Sequence, residues 1–292
     1  MNDRIYDIAF SMDQSLSLLE KKFLMDHYGT SREILKIPVP RLKNIIGRNW
    51  TGKSYRPDHF IGEAHKMLPF IEKSGIHTLR YDEDDYPPGL LQIADPPFLL
   101  YYRGNPGTVY EKNIAVVGTR TPNQSGIKRT GVLAKHLAEN GYNIISGLAS
   151  GIDSLAHFHC IKGGGRTIAV LGCGIDRIYP AANKDLARSI LDHNGAIISE
   201  YPPGFMPRKW YFPKRNRIVV GLCKSVLVIQ SPRRSGSLIS ANLAADYNRD
   251  LLVASPGTSE KDLGNRDLLL SGGTEIKCIS DLDTALEQPW KI

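Results

Sequence analysis

From residue 113 to residue 254, short continuous apolar runs alternate with longer segments of helical spacing. That alternation restricts the architecture more than any other feature of the chain. Ile114-Ala-Val-Val117 is the first run and ends at Gly118. Helical spacing over 125–140 stops at Gly141, and Tyr142-Asn-Ile-Ile145 is the second run. The same sequence of signals repeats with a helix over 152–162, a strand over 167–171, a helix over 183–193 and a strand over 196–198. A strand over 225–229, a helix over 237–247 and a strand over 251–254 complete it. A strand that is apolar at successive positions must be covered on both faces, and intervening helices make the crossovers parallel. The pattern predicts an α/β fold: a Rossmann-like, doubly wound, mostly parallel sheet. Ligands in such sheets bind beyond the carboxyl ends of the strands.

Those ends are rich in glycine, hydroxyl and basic residues. Gly118-Thr119-Arg120 follows the first strand, and Ser146-Gly147-Leu-Ala-Ser150-Gly151-Ile-Asp153 follows the second, leading into a helix that bears His157. Gly172-Cys-Gly174-Ile-Asp176 follows the third strand, and Ser199-Glu200 the fourth. Arg233-Arg234-Ser235-Gly236-Ser237 follows the fifth, and Pro256-Gly257-Thr258 the sixth. Small residues at helix starts let backbone N–H groups approach an anion, and the helix dipole favours negative charge there. Arg120 and Arg234 supply side chains suited to bidentate phosphate contacts. The arrangement predicts several phosphate subsites in a row.

The charge distribution points the same way. The chain has 37 Lys+Arg against 30 Asp+Glu, a net of +7. Residues 201–245 contain no Asp or Glu and carry Arg208, Lys209, Lys214, Arg215, Arg217, Lys224, Arg233 and Arg234. Without them the rest of the chain is nearly neutral. Trp210, Tyr211 and Phe212 lie between the basic residues, and cations interleaved with aromatics suit a phosphate strand with exposed bases. Placed on the sheet, the stretch divides into two loops, 201–217 after the fourth strand and 231–237 after the fifth, with buried strand between. Together they read as one wall of a phosphate groove, with Arg120 opposite.

Other chemistries fit less well. The turn after the first strand has no second glycine, and Gly172-Cys-Gly174 lacks the third, so the dinucleotide fingerprint is not met. Asp153 and His157 lie four apart on one helix face, which makes an acid–base pair conceivable. The alternative, favoured here, is that Asp153 braces the helix start and His157 packs beneath the loop. Four widely spaced cysteines with no CxxC argue against a zinc site or a disulfide framework and for a reducing cytoplasm. No run approaches the ~20 apolar residues of a membrane span, and the N-terminal stretch, with Asp3, Asp7 and Asp13, does not read as a signal peptide.

The first ~80 residues read as helical: 5–28, 31–37, 41–46 and 60–74, with Pro38 and Pro40 between the second and third. Gly47-Arg-Asn-Trp-Thr-Gly52-Lys53-Ser54 matches the P-loop pattern, but neither a central strand before it nor a long helix directly after it is indicated. A helix-to-helix turn is the expectation. Residues 81–108 form a boundary that contains an acidic run, the strand-like Phe98-Leu-Leu-Tyr-Tyr102 and a turn at 104–107. The expected organisation is a helical domain over 1–80, a linker and strand over 81–108, and the sheet domain over 109–292.

At the strand ends the chain resembles the DNA-processing protein A (DprA, or Smf) family. The resemblance rests on Ile114-Ala-Val-Val-Gly-Thr-Arg120, Ser146-Gly-Leu-Ala-Ser-Gly-Ile-Asp153 with Ala156-His157, and Gly165-Arg-Thr-Ile-Ala-Val-Leu-Gly172. It continues through Ile175-Asp-Arg-Ile-Tyr-Pro180, Ser199-Glu-Tyr-Pro-Pro-Gly204, Phe212-Pro-Lys-Arg-Asn-Arg-Ile218, Gly221, Ser235-Gly-Ser-Leu-Ile239 and Pro256-Gly257, covering roughly 86–275 in order. It implies a SAM-like helical domain ahead of the sheet, and the chain's end soon after Glu287 leaves no room for the winged-helix-like domain of some members. It implies a non-enzymatic binder of single-stranded DNA, acting in natural transformation or homologous recombination. Such a protein protects incoming strands, helps load a RecA-type recombinase and works as a homodimer, with no cofactor, metal or membrane. By motif, Gly118, Thr119 and Arg120, the Ser146–Gly147 loop, Phe212, Lys214, Arg215, Arg217 and Arg234-Ser235-Gly236-Ser237 are implied to line the strand groove. Gly151, Asp153, His157 and Asn216 are implied to be structural. Arg217 is open to a structural reading as well, and Phe212 stands equally for base stacking or for packing at a helix entry. The competing class is a nucleotide-processing enzyme like the phosphoribohydrolases. Their Pro-Gly-Gly-x-Gly-Thr motif is completed neither at Pro256-Gly257-Thr258 nor at Gly272-Gly-Thr-Glu275.

Overall fold

A computed structural model describes residues 3–106 and 112–287. Seven parallel strands form the body of the sheet: β3 (Asn113–Val117), β4 (Asn143–Ser146), β5 (Thr167–Leu171), β6 (Ala196–Ser199), β7 (Ser225–Val228), β8 (Asp250–Ala254) and β9 (Thr274–Ile276). The turn read at 104–107 and both ends of the 109–292 segment run into residues outside the described ones. Two earlier strands, β1 (His77–Arg80) and β2 (Leu99–Gly104), add antiparallel to β6, giving the order β1-β2-β6-β5-β4-β3-β7-β8-β9. The chain winds outward from β3 through β4 and β5 to β6, then returns to the other side of β3 with β7. The switch point therefore lies between β3 and β7, where Ile114 pairs with Ser225 and Val117 with Val228.

Alternate strand residues feed two cores, as a period of two requires. Ile114, Val116, Ile144 and Leu227 face α7 (Gln124–Glu139), α8 (Ile152–Lys162) and α13 (Ile279–Glu287). Ala115, Val117, Ile145, Val226 and Val228 face the other way, toward α10 (Tyr211–Gly221) and α11 (Gly236–Asp246). The remaining helices of this part are α9 (Lys184–Asp192) and α12 (Leu263–Leu270).

Ahead of the sheet come α1 (Arg4–Met12), α2 (Leu18–Tyr28), α3 (Ser31–Leu35), α4 (Val39–Ile46) and α5 (Pro57–Lys73), with α6 (Pro88–Leu91) between β1 and β2. The helix expected over 5–28 is two helices. Ser17 ends the run with a capping box, accepting from the Glu20 N–H while the Glu20 carboxylate accepts from the Ser17 N–H. The buried Lys21 ammonium donates to the carbonyls of Phe10 (3.0 Å) and Asp13 (2.6 Å), which fixes the bend. Residues 77–80, read from sequence as part of the helical region, are strand β1. Their pairing with β2 ties the helical region to the sheet, reinforced by Arg80 to Asp7 at 2.9 Å, Ser11 to Tyr101 at 3.0 Å and the Phe10–Phe98 ring contact.

The P-loop-like segment lies between α4 and α5. Gly47 caps α4 in the left-handed region, and Trp50 is buried with its indole N–H donating to Ser15 at 2.9 Å. Among the described residues no strand of the sheet precedes it, so its backbone lacks the setting of a phosphate cradle. Among the described residues no helix is long and apolar enough to cross a membrane, and no three His, Cys, Asp or Glu side chains are grouped to hold a metal ion.

Candidate nucleic-acid interface

Three strand ends are joined by backbone hydrogen bonds at the switch point. The Thr119 N–H after β3 donates to the Gln230 carbonyl after β7 at 2.7 Å, and the Ile152 N–H at the start of α8 donates to the Thr119 carbonyl at 3.1 Å. Gly118 allows this approach, because a Cβ there would lie 2.5 Å from the Ile152 side chain. Gly151 adopts φ 84°, ψ −127°, a region essentially closed to other residues, and lies against the carbonyl of Thr119.

Below these turns are buried polar groups that hold the loops. Ser146 donates its hydroxyl to the Val116 carbonyl at 2.7 Å and is fully buried, so it braces the sheet and offers the groove nothing from its side chain. The Asp153 carboxylate accepts from the Gly147 N–H at 3.2 Å. Burial pushes its pKa above the ordinary carboxylate range, opposed by the Arg215 guanidinium and by backbone N–H groups of the loop. Arg215 is only 4% exposed and donates to the carbonyls of Gly147 (2.6 Å) and Val170. Its guanidinium lies so close under Gly147 that no side chain fits there.

His157 is fully buried. The Thr167 hydroxyl donates to the Ile144 carbonyl at 2.6 Å, so it must accept from His157 Nδ1–H, also at 2.6 Å, which fixes the neutral tautomer. Burial, with Arg215 adding, lowers the His157 pKa to about 3. The unfolded imidazole, near 6.5, binds a proton that the folded one refuses, so this site costs stability as pH falls from about 6.5 toward 3. His157→Gln removes that linkage. Its melting temperature is expected to fall less than the parent's between pH 7 and pH 4.5; parallel curves would show that the imidazole stays paired or solvated on protonation.

Above this floor opens a cavity of about 600 Å³. It gathers Gly118, Thr119, Arg120, Gly147, Asp153, Phe212, Arg215, Asn216, Ser235, Gly236 and Ser237 of the residues singled out by sequence. Ser235 caps α11, and its hydroxyl sits 2.8 Å from that of Ser231 and 2.5 Å from that of Ser237. Asn216 receives Arg215 Nε–H at 3.2 Å and donates to the Gly236 carbonyl at 3.4 Å, coupling α10 to the start of α11. The Arg120 guanidinium is exposed, 5.8 Å over the Phe212 ring. The cavity thus combines a helix start, the cations Arg120 and Lys209 and an aromatic ring, which suits an anion attached to a flat apolar group.

The rest lie elsewhere. Residues 211–217, read as part of a loop, form the first turns of α10, so their side chains diverge. Arg217 is buried away from the cavity, its guanidinium 2.5 Å from Glu200 and 3.2 Å from Asp95, and those acids hold it charged. Lys214 lines a second cavity of about 400 Å³ between residues 11–19 and the sheet, 3.8 Å from Glu200. Arg234 is exposed with φ 60°, outside the residues that line the larger cavity. Arg120 stands over Phe212 on α10, on the same side as the basic wall that sequence placed opposite it. Lys209, one of the basic residues of the acid-free stretch, lines the cavity, as does Tyr179, to which the sequence assigned no role. Tyr179 lies in the connection between β5 and α9, within the Ile175–Pro180 stretch that carries part of the resemblance.

Fold and cavity together define a Rossmann-type protein whose pocket sits at the switch point of the sheet. Residues 77–287 match the family described as DNA recombination-mediator protein A, and the chain belongs to that family. It is 40% identical over 272 residues to Protein Smf of Synechocystis sp., covering 89% of this chain and 67% of that protein. It is 44% identical over 198 residues to DNA processing protein DprA of Streptococcus pneumoniae, covering 68% of each. The X-ray structure of the S. pneumoniae protein superposes with TM-score 0.79 and 30% identity over 99% of both chains. DNA processing protein A from Helicobacter pylori, whose structure describes a single-stranded DNA binding mode, matches with TM-score 0.65 and 33% identity over 72% of this chain and 95% of that one.

Proposed function

We propose that this chain is a non-catalytic, single-stranded-DNA-binding recombination mediator that takes the strand across the switch-point cavity. The observation that carries the reading is that cavity: exposed Arg120 over Phe212, Lys209 beside them, and the capped start of α11 at one end. Phosphates meet the arginine, the lysine and the backbone N–H groups, while bases meet rings, and neither contact reads sequence. Family membership and the strand-binding H. pylori relative support the same reading. Protection of incoming strands, loading of a RecA-type recombinase, homodimer formation and action in the cytoplasm follow as parts of this proposal.

The enzyme alternative finds little support in the geometry. His157 is buried, neutral and turned to Thr167, and Asp153 is engaged with Gly147 and Arg215, so the pair is used in holding the loops. Glu275, in the second partial phosphoribohydrolase motif, accepts from Ser255 at 2.7 Å and pairs with Lys277.

The test is a titration with oligothymidylate and with duplex DNA at several salt concentrations. Tight single-strand binding is expected, weakening with a log–log slope of about −0.7 per phosphate neutralised. Arg120→Ala is expected to weaken binding on all sequences and make the slope shallower by about 0.7. Binding to single strands no better than to duplex, or an Arg120→Ala slope equal to the parent's, would overturn the reading.

A further inference from the structure

We propose that the cavity of about 400 Å³ between residues 11–19 and the sheet is a second binding site, which takes a neutral carboxamide borne on an apolar group. It is separate from the strand-binding cavity, because α10 presents different side chains to the two spaces. Phe212, Arg215 and Asn216 line the switch-point cavity, whereas Lys214 lines this one together with Glu200 and Asp95.

Most of the charged side chains around this space are already engaged. The Lys21 ammonium is held by the carbonyls of Phe10 and Asp13, and the Asp13 carboxylate accepts from the Ser15 hydroxyl at 2.8 Å. Arg48 donates to Glu20 and to the Ser15 carbonyl. Arg217 donates to Asp95 and to Oε1 of Glu200. Two groups remain. Glu200 Oε2 is buried and has no hydrogen-bond donor among the described residues. Lys214 Nζ lies 3.8 Å from it, beyond hydrogen-bond reach. Burial raises the Glu200 pKa, but Arg217 and Lys214 outweigh it and hold the carboxyl below its ordinary range. Oε2 is therefore an ionised acceptor, and a buried acceptor of this kind calls for a donor.

A cation set against Oε2 would also face Lys214, and an anion set against Lys214 would face Glu200. A neutral group with a donor beside an acceptor suits both. The nitrogen and oxygen of an amide are about 2.3 Å apart at standard bond lengths. An amide laid across the 3.8 Å gap can therefore give an N–H to Oε2 and accept one from Nζ. The rest of the wall is apolar, with Met12, Leu16, Phe98, Leu99, Pro202 and Phe205 around the polar pair. A concave apolar wall with a few convergent polar groups is the usual form of a ligand site. Free carboxamides and the amide groups of a peptide share this chemistry.

The test compares phenylacetamide, phenylacetate and phenethylamine, which share a benzyl group and differ in the charge of the head. Each is titrated into the full chain labelled at its methionine methyl groups, and the Met12 signal is assigned by its loss in Met12→Leu. Phenylacetamide is expected to move that signal saturably and to bind about tenfold tighter than either charged probe, a charge-assisted hydrogen bond being at stake. In Lys214→Met a cation no longer meets a like charge there, so the deficit of phenethylamine is expected to shrink to about twofold or less. Circular dichroism melting shows whether that variant keeps the fold, and the ranking in the parent decides if it does not. N-acetylphenylalanine N-methylamide distinguishes the sources: tighter binding than phenylacetamide points to a peptide segment, and binding no tighter points to a free carboxamide. Equal binding of the three benzyl probes would reveal a merely apolar hole and overturn the proposal. So would a charged probe that binds best in the parent, a Met12 signal unmoved by any probe, or a folded Lys214→Met with the parent's ranking. All of these outcomes leave the strand-binding reading untouched.

Discussion

Replacing Arg215 by methionine is expected to lower stability by about 2–6 kcal/mol, at about 1–3 kcal/mol for each of two buried carbonyls left without its donor. The guanidinium is buried, faces Asp153 and satisfies the carbonyls of Gly147 and Val170. Methionine keeps the length of the stem and removes every donor. Asp153 is then a buried carboxylate without its counter-charge, and two backbone acceptors lose their partners. The second variant, Arg215→Met with Asp153→Asn, neutralises the stranded charge and should recover part of the loss, a coupling that a double-mutant cycle in urea reads directly. A single variant less than about 1 kcal/mol below the parent would show that Arg215 is solvated in solution and free to act on ligand. Any loss of DNA affinity in Arg215→Met is expected to follow unfolding, in contrast to Arg120→Ala, which changes affinity in a folded protein.

The second large effect is expected at Gly151. Alanine there must adopt φ 84° with ψ −127°, a strain of about 1–3 kcal/mol, and its Cβ would overlap the carbonyl of Thr119 and the backbone of Arg120. Overpacking of this kind costs about 1–3 kcal/mol more. Relief requires the turn after β4 to move away from the turn after β3, which breaks the Ile152–Thr119 hydrogen bond and shifts Arg120. Gly151→Ala should therefore lose both thermal stability and single-strand affinity. Gly204 also has a positive φ, 86°, but has no neighbour within 4 Å of a built Cβ, so Gly204→Ala isolates the backbone strain and should cost only about 1–3 kcal/mol. Equal melting temperatures for the parent and Gly151→Ala would show that the loop adapts.

The parallel strands were legible because burial on both faces leaves an uninterrupted apolar run, and each such run from Ile114 to Ala254 is a strand. Residues 77–80 and 274–276 escaped notice because His77-Thr-Leu-Arg80 and Thr274-Glu-Ile276 are short and partly polar. Helix α10 escaped for another reason. Pro213 and four charged or amide side chains in its first turns read as loop, yet Pro is tolerated at the start of a helix and the buried arginines are neutralised from outside. This also changes the meaning of the acid-free stretch 201–245. Several of its cations are met from outside the window: Arg217 by Glu200 and Asp95, Arg233 by Asp267 at 2.7 Å, and Arg215 by the carbonyls of Gly147 and Val170. A count within a window cannot register partners beyond it, so a basic run that looked wholly available is partly internal framework. The cavity's chemistry was legible at the strand ends because a parallel sheet delivers all of them to one edge.

The antiparallel pair β1–β2 has a consequence for dissecting the protein. Without it, β6 would be an outer strand with a bare row of amide and carbonyl groups, the kind of edge that recruits other chains. β2 covers that row, pairing Tyr101 with Ser199 and Gly104 with Ala196, and β1 in turn covers β2. A fragment starting at residue 81, where sequence composition draws the boundary, would shed β1 and leave Leu99–Gly104 as a naked, largely apolar template. A fragment that begins at His77 keeps β1 paired with β2 as the border of the sheet.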